Sequence, residues 1–154
     1  MSVLPGCSQG STPDKTIGPA TSSADVPTIE GTVFEAPGFT IVVPKGWESI
    51  KIDGGVQMFK GSDIVQVYIR GYNMTAGEDK GQTESNAKRY GGTQPEQIDI
   101  FGMKFWKTTY TAASVYQTSY LSMKNGQLVS VQIAGPDHDK NEAIKGILNT
   151  LKFK

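Results

Sequence analysis

One histidine and one cysteine are the scarce reactive side chains of this 154-residue chain. His138 stands in "DHDKNE", between Asp137 and Asp139. A histidine beside a carboxylate can serve as a metal ligand or as a base oriented by its neighbour. The same stretch also reads as the entry to a helix, where acids are favoured, with an exposed histidine among them. The second reading is the expectation here. Asp137, Asp139 and Asn141 stand at calcium-loop spacing, but Glu142 occupies the position that needs glycine and Leu148 the position that needs a bidentate glutamate. An EF-hand is therefore rejected. A cysteine-centred triad fails because Cys7 lies in an N-terminal tail, and no G-x-S-x-G elbow offers a serine nucleophile. A single cysteine makes no internal disulfide and no multi-cysteine zinc site. Asn73-Met74-Thr75 matches a glycosylation sequon, a tripeptide that arises readily by chance. Glu78-Asp79 reads as solvated charge, with a weak cation site as the other reading. The expectation is a chain with no catalytic residues, no metal site and no cofactor.

What Cys7 does is suggested by its surroundings. Leu4-Pro5-Gly6-Cys7 resembles a bacterial lipobox, with an aliphatic residue three before the cysteine and a small residue just before it. That resemblance implies diacylglycerol on the Cys7 thiol and cleavage just before it. Pro5 is a less usual choice at its position, and only Met1, Ser2 and Val3 stand upstream, where an apolar stretch should be. The expectation is that most of the signal was trimmed and a start methionine supplied. Of residues 8 to 31, fourteen of twenty-four are Gly, Ser, Thr or Pro, and only Ile17, Val26 and Ile29 are large and apolar. Such a segment cannot bury enough surface to order itself. As a coil it reaches roughly 27 Å. A lipid site, a tether and then a domain is the layout of a surface lipoprotein. Two or more acyl chains, at ~0.8 kcal/mol per buried CH₂, hold such a protein durably.

The totals agree with one domain and a tail. Lys plus Arg is 15 and Asp plus Glu is 15, so the formal charge is zero. That balance gives no reason to expect nucleic acid as a partner. No run approaches the ~20 apolar residues of a spanning helix. Membrane contact is expected through the lipid anchor only.

The elements come from periodicity. "FTIVVP" sets Phe39, Ile41 and Val43 against Thr40 and Val42, and Pro44 closes that strand. "WESIKID", "VQMFK" and "DIVQVYIRGY" follow around a Gly54-Gly55 turn, with Val65, Val67 and Ile69 on one side. Residues 73 to 82 read as a loop, and a short helix is predicted from Thr83 to Tyr90, stopped by Gly91-Gly92. "EQIDI" and "MKFWKTTYT" flank Phe101-Gly102, and "VYQTSYLSMK" and "QLVSVQIAG" flank Asn125-Gly126, the strongest hairpin signal. A last helix is predicted with Asp139 as N-cap and Glu142 completing a capping box. Its stripe is Ala143, Ile144, Ile147, Leu148 and Leu151, with Gly146 off the stripe. A short strand ends the chain, Leu151 to Phe153.

This order resembles the PsbP/Mog1-like fold, on "FTIVVPKGWESI", "IDIFGMKFWKTTY" and "AIKGILNTLKF", over residues 32 to 154. The resemblance implies an α+β domain: a twisted antiparallel sheet carrying a C-terminal helix and a short central helix. It also implies an accessory or binding role, as in photosystem assembly or regulation of a small GTPase. It brings no catalytic residue to carry over.

Register assigns the sheet faces. A two-residue Asn125-Gly126 turn sets Tyr120 opposite Val131 and Thr118 opposite Ile133. A tight 111–114 loop would set Trp106 opposite Tyr120 and Tyr110 opposite Tyr116. One face then gathers Trp106, Tyr110, Tyr116, Tyr120, Val129, Val131 and Ile133, a bed for the last helix. The other gathers Gln117, Ser119, Ser130 and Gln132, with Phe105, Leu121 and Met123 beside them. If open to solvent, that mixed face is the expected partner surface. The chain thus reads as residues 1–31 of residual signal and tether, then one domain over 32–154, held outside a bacterial cell membrane. Its expected partner is another envelope or membrane protein. An envelope-polymer hydrolase and a small-ligand binder are the alternatives.

Overall fold

The computed structural model describes residues 29–154. Cys7 and almost all of the tether lie outside the described residues. β1 (Gly31–Ala36) and β2 (Phe39–Pro44) form a hairpin, and β10 (Lys152–Phe153) adds to the other side of β2. A seven-stranded sheet carries the rest: β3 (Glu48–Ile52), β4 (Gly55–Lys60), β5 (Asp63–Arg70), β6 (Glu96–Ile100), β7 (Met103–Ala112), β8 (Val115–Lys124) and β9 (Gln127–Ala134). Its spatial order is β3-β4-β5-β9-β8-β7-β6, and every pair is antiparallel. The chain leaves β5, crosses the sheet through α1 (Glu78–Tyr90), enters at the far edge as β6 and winds back to β5.

The core lies on one face of this sheet. Val56, Met58, Val65, Val67, Phe105, Tyr120, Val129 and Val131 meet Phe39 and Ile41 of β2 and Ile144 and Ile147 of α2 (Glu142–Asn149). Each such side chain contributes about 1.5–3 kcal/mol by leaving water. This is the α+β architecture expected, with the small sheet and α2 on one side and α1 packed on β7 and β8 on the other.

Several local expectations are corrected. α1 begins at Glu78, so part of the supposed loop is helix. Glu78 and Asp79 favour its N-terminus. Thr83 is its fully buried residue and donates its hydroxyl to the Asp79 carbonyl at 2.8 Å, inside the helix. The stop at Gly91, φ 63°, is where expected. α2 is capped by Asn141, not Asp139: the Asn141 side chain accepts from the Ile144 N–H at 3.1 Å and donates to Asp63 at 3.0 Å. Two partners for one amide outweigh the capping box, and Asp137–Lys140 form a separate turn, Lys140 N–H to the Asp137 carbonyl. Gly146 is buried and Ala143 exposed, so the buried stripe of α2 runs through Ile144, Gly146 and Ile147. The first hairpin of the large sheet turns on Asp53-Gly54, and Gly55 already belongs to β4.

The most consequential correction is register. Asn125-Gly126 is the two-residue turn expected, pairing Tyr120 with Val131. Between β7 and β8, however, the turn is Ala113-Ser114, both at positive φ (51° and 64°), and Ala112 pairs with Val115. Trp106 therefore faces Leu121 and Tyr110 faces Gln117. A one-residue slip inverts a strand. Phe105 moves into the core, while Trp106 and Tyr110 move under α1.

Candidate functional site

The face expected to meet a partner is half covered. α1 lies across β7 and β8, and Tyr90 of α1 stacks on Tyr110 with ring centroids 5.1 Å apart. Burial raises the Tyr110 phenol above its ordinary value, with Tyr90 and Tyr68 adding to the shift. Ser119 is 4% and Ser130 3% exposed. These two serines are floor, out of reach of a macromolecule. Gln117 and Gln132 are half-buried and hydrogen-bonded to each other. Of the four residues expected here, the glutamines alone retain access to solvent.

The row does not end at Gln132. Register sets Gln132 beside Gln66, Gln66 beside Gln57, and Gln57 beside Ile50 of the edge strand. The main contacts of α1 fall on β7 and β8, away from β4 and β5. Gln57 and Gln66 are half-exposed and Ile50 is 51% exposed. Half-buried Phe59, Ile64 and Tyr68 flank the row on neighbouring strand positions, and the Arg70 guanidinium lies 3.8 Å above the Tyr68 ring. The open half of the sheet is thus an amide row with aromatic and aliphatic borders, and with Glu48 and Arg70 at its margins. Three of its members, Ile50, Gln57 and Gln66, were missed by the sequence reading. They belong to the first hairpins, whose pairing with β9 no local turn announces.

His138 is not exposed in a helix cap. It is 1% exposed, between the sheet and the segment leading to α2. Its Nδ1 lies 3.0 Å from the Gly135 carbonyl, which can only accept, so Nδ1 carries the proton. In the neutral ring Nε2 then accepts from the Thr118 hydroxyl at 2.7 Å, and Thr118 accepts from Thr109 at 3.0 Å. Tyr116 lies across the imidazole at 4.6 Å. Thr118 and His138 have nucleophile–base spacing, but both are buried and both imidazole nitrogens are engaged. Both side chains line the cleft between α2 and β7–β8, with Thr118 Oγ1 held between Thr109 and His138. The chain of hydrogen bonds instead fastens the 135–141 segment to the sheet. Asp137 and Asp139 on either side point outward and are exposed. Among the described residues no three His, Cys, Asp or Glu side chains gather as a metal site, and no helix is long and apolar enough to cross a membrane.

A cleft of about 430 Å³ opens between α2 and β7–β8, on the core side of the sheet. Lys107 and Tyr120, register partners, lie on its wall with Ile133, Ile144 and Leu148. The Tyr120 ring packs edge-on against Phe101 and Phe105, and burial raises its phenol.

No family model and no curated protein matches the sequence. Solved structures do match it. The solution structure of cyanobacterial PsbP (CyanoP) from Synechocystis sp. PCC 6803 aligns with TM-score 0.54 at 11% identity, over 80% of this chain and 92% of that one. A Bacteroides thetaiotaomicron crystal structure aligns with TM-score 0.55 at 12% identity, over 82% of this chain but 49% of that one, so the chain spans about half its length. LpqN, described as involved in cell envelope biogenesis of Mycobacterium tuberculosis, aligns at 0.48 and 14% identity over 88% and 96%. At such identities the likeness is one of architecture, and on that ground the chain has the α+β fold of PsbP.

Proposed function

We propose that this chain is a lipid-anchored extracytoplasmic accessory domain that binds another envelope or membrane protein and catalyses no reaction. Three features support the reading: the lipobox-like Leu4-Pro5-Gly6-Cys7, the Gly/Ser/Thr/Pro tether behind it, and a fold shared with an accessory-type protein. The observation that carries the binding role is the uncovered Ile50–Gln57–Gln66–Gln132 row. Such a row gives a partner amide hydrogen bonds and aromatic contact, with the charged Glu48 and Arg70 left to the margins. A solubilised-membrane pull-down with the full precursor tests it. Gln66→Glu places a charge in the middle of the row, so it should abolish recovery of the partner while the thermal melt stays unchanged. Full recovery with Gln66→Glu would refute the assignment. For the anchor, a labelled fatty acid should enter the precursor and be lost with Cys7→Ser; retention of label would remove the lipoprotein reading.

A further inference from the structure

The cleft under α2 contains an imbalance that the binding role does not use. Most polar groups on its wall satisfy one another. Thr93 Oγ1 accepts from the Thr109 N–H at 2.9 Å, and Thr109, Thr118 and His138 are joined as described. Lys145 lies 3.6 Å from Glu142 at the rim. Tyr116 and Asp139 are exposed to solvent, which leaves two groups. Among the described residues, the Tyr120 hydroxyl has no hydrogen-bond partner although the residue is 7% exposed, and the Lys107 ammonium has no carboxylate within salt-bridge distance. A buried, unpaired phenol is unusual enough to need a reason. The two groups are neighbours by register and share the cleft wall. Ile133, Ile144 and Leu148 form the aliphatic part of the wall.

We propose that this cleft binds a medium-chain carboxylate, its head group held by the Lys107 ammonium and the Tyr120 hydroxyl and its alkyl chain against Ile133, Ile144 and Leu148. A carboxylate offers two acceptor oxygens, which one ammonium and one phenol can occupy together. The Tyr120 phenol is protonated at neutral pH and so is a donor there. A volume of about 430 Å³ falls at the small end of ligand pockets, suited to a head group with a medium-length chain. With Lys145 paired to Glu142, Lys107 is the cation on the wall that has no carboxylate partner among the described residues. The inference does not rest on the open-face reading.

The probe is octanoate, below its micellar concentration, followed by methyl NMR of the folded chain. The expected result is saturable shifts at Ile133, Ile144 and Leu148. Lys107→Gln should weaken binding at least tenfold and Tyr120→Phe severalfold, while Tyr120→Phe keeps the ring packing and an unchanged melt. Octanol and octylammonium should produce no saturable shift. Gln66→Glu, on the opposite face, should leave octanoate affinity unaltered, which separates this site from the proposed partner surface. Absence of saturable shifts, equal binding by Lys107→Gln, or equal binding of octanol would each overturn the proposal.

Discussion

Replacing His138 by alanine distinguishes a buried histidine from the exposed one that "DHDKNE" suggests. The imidazole is 1% exposed and makes two hydrogen bonds, Nδ1–H to Gly135 and Nε2 from Thr118. Each is worth about 1 kcal/mol net. Removing the ring also loses the Tyr116 contact at 4.6 Å and leaves a void, about 1–2 kcal/mol more after partial collapse. His138→Ala should therefore cost about 3 kcal/mol. For a domain of this size that is a fall in Tm of roughly 10 °C. Urea melts followed by circular dichroism measure it, with Asp137→Ala and Asp139→Ala as exposed neighbours that should each cost less than about 0.5 kcal/mol. If His138→Ala costs no more than Asp139→Ala, the hydrogen-bonded fastening of the 135–141 segment is wrong.

Other outcomes follow from register and burial. Phe105→Ala should cost about 3–5 kcal/mol because Phe105 is fully buried, and much more than Trp106→Ala, since Trp106 is half-exposed beneath α1; equal urea-melt penalties would reverse the β7 faces. The double change Ala113→Asn with Ser114→Gly suits two positive-φ positions and should stabilise by about 1 kcal/mol, read in the same melts. Burial raises the folded phenol of Tyr120 above its ordinary value of 10.0. The unfolded chain thus loses that proton first, and the stability contributed is intact below pH 10 and lost as pH climbs toward the folded value. Tyr120→Phe should flatten that alkaline fall, and phenolate absorbance checks which tyrosine titrates late.

The sequence was most legible where turn chemistry was explicit. Asn125-Gly126 fixed Tyr120 opposite Val131, and Phe101-Gly102 fixed the β6–β7 hairpin, because such turns demand positive φ that Asn and Gly supply cheaply. Ala113-Ser114 adopts the same conformation without either signal, so counting across it slipped by one residue and exchanged the faces of Phe105 and Trp106. α1 was seen only in its second half. Its outward faces are polar and Gly81 lies inside it, so packing on β7 and β8, more than its own periodicity, extends it to Glu78. His138 was hidden by its neighbours: two exposed aspartates flank a ring whose partners, Thr118 and Gly135, come from elsewhere in the fold. Of the expected partner surface, Gln117 and Gln132 keep partial access while Ser119 and Ser130 do not, since α1 covers the β7–β8 half of the sheet. The open row was illegible for a different reason. It needs the β5–β9 pairing, which joins segments distant in sequence and has no connecting turn to count from.

The central claim, that a membrane-tethered domain presents an open amide row of its sheet to an envelope protein, is tested most directly by site-specific photo-cross-linking in living cells. A photo-reactive amino acid is placed at Gln66, in the middle of the open row, and in parallel at Lys88, exposed on α1. The predicted result is one discrete envelope-protein adduct from Gln66, none from Lys88, and loss of the adduct when Cys7→Ser releases the domain from the membrane. Equal adducts from both positions, or no adduct from Gln66 while Lys88 yields one, would contradict it.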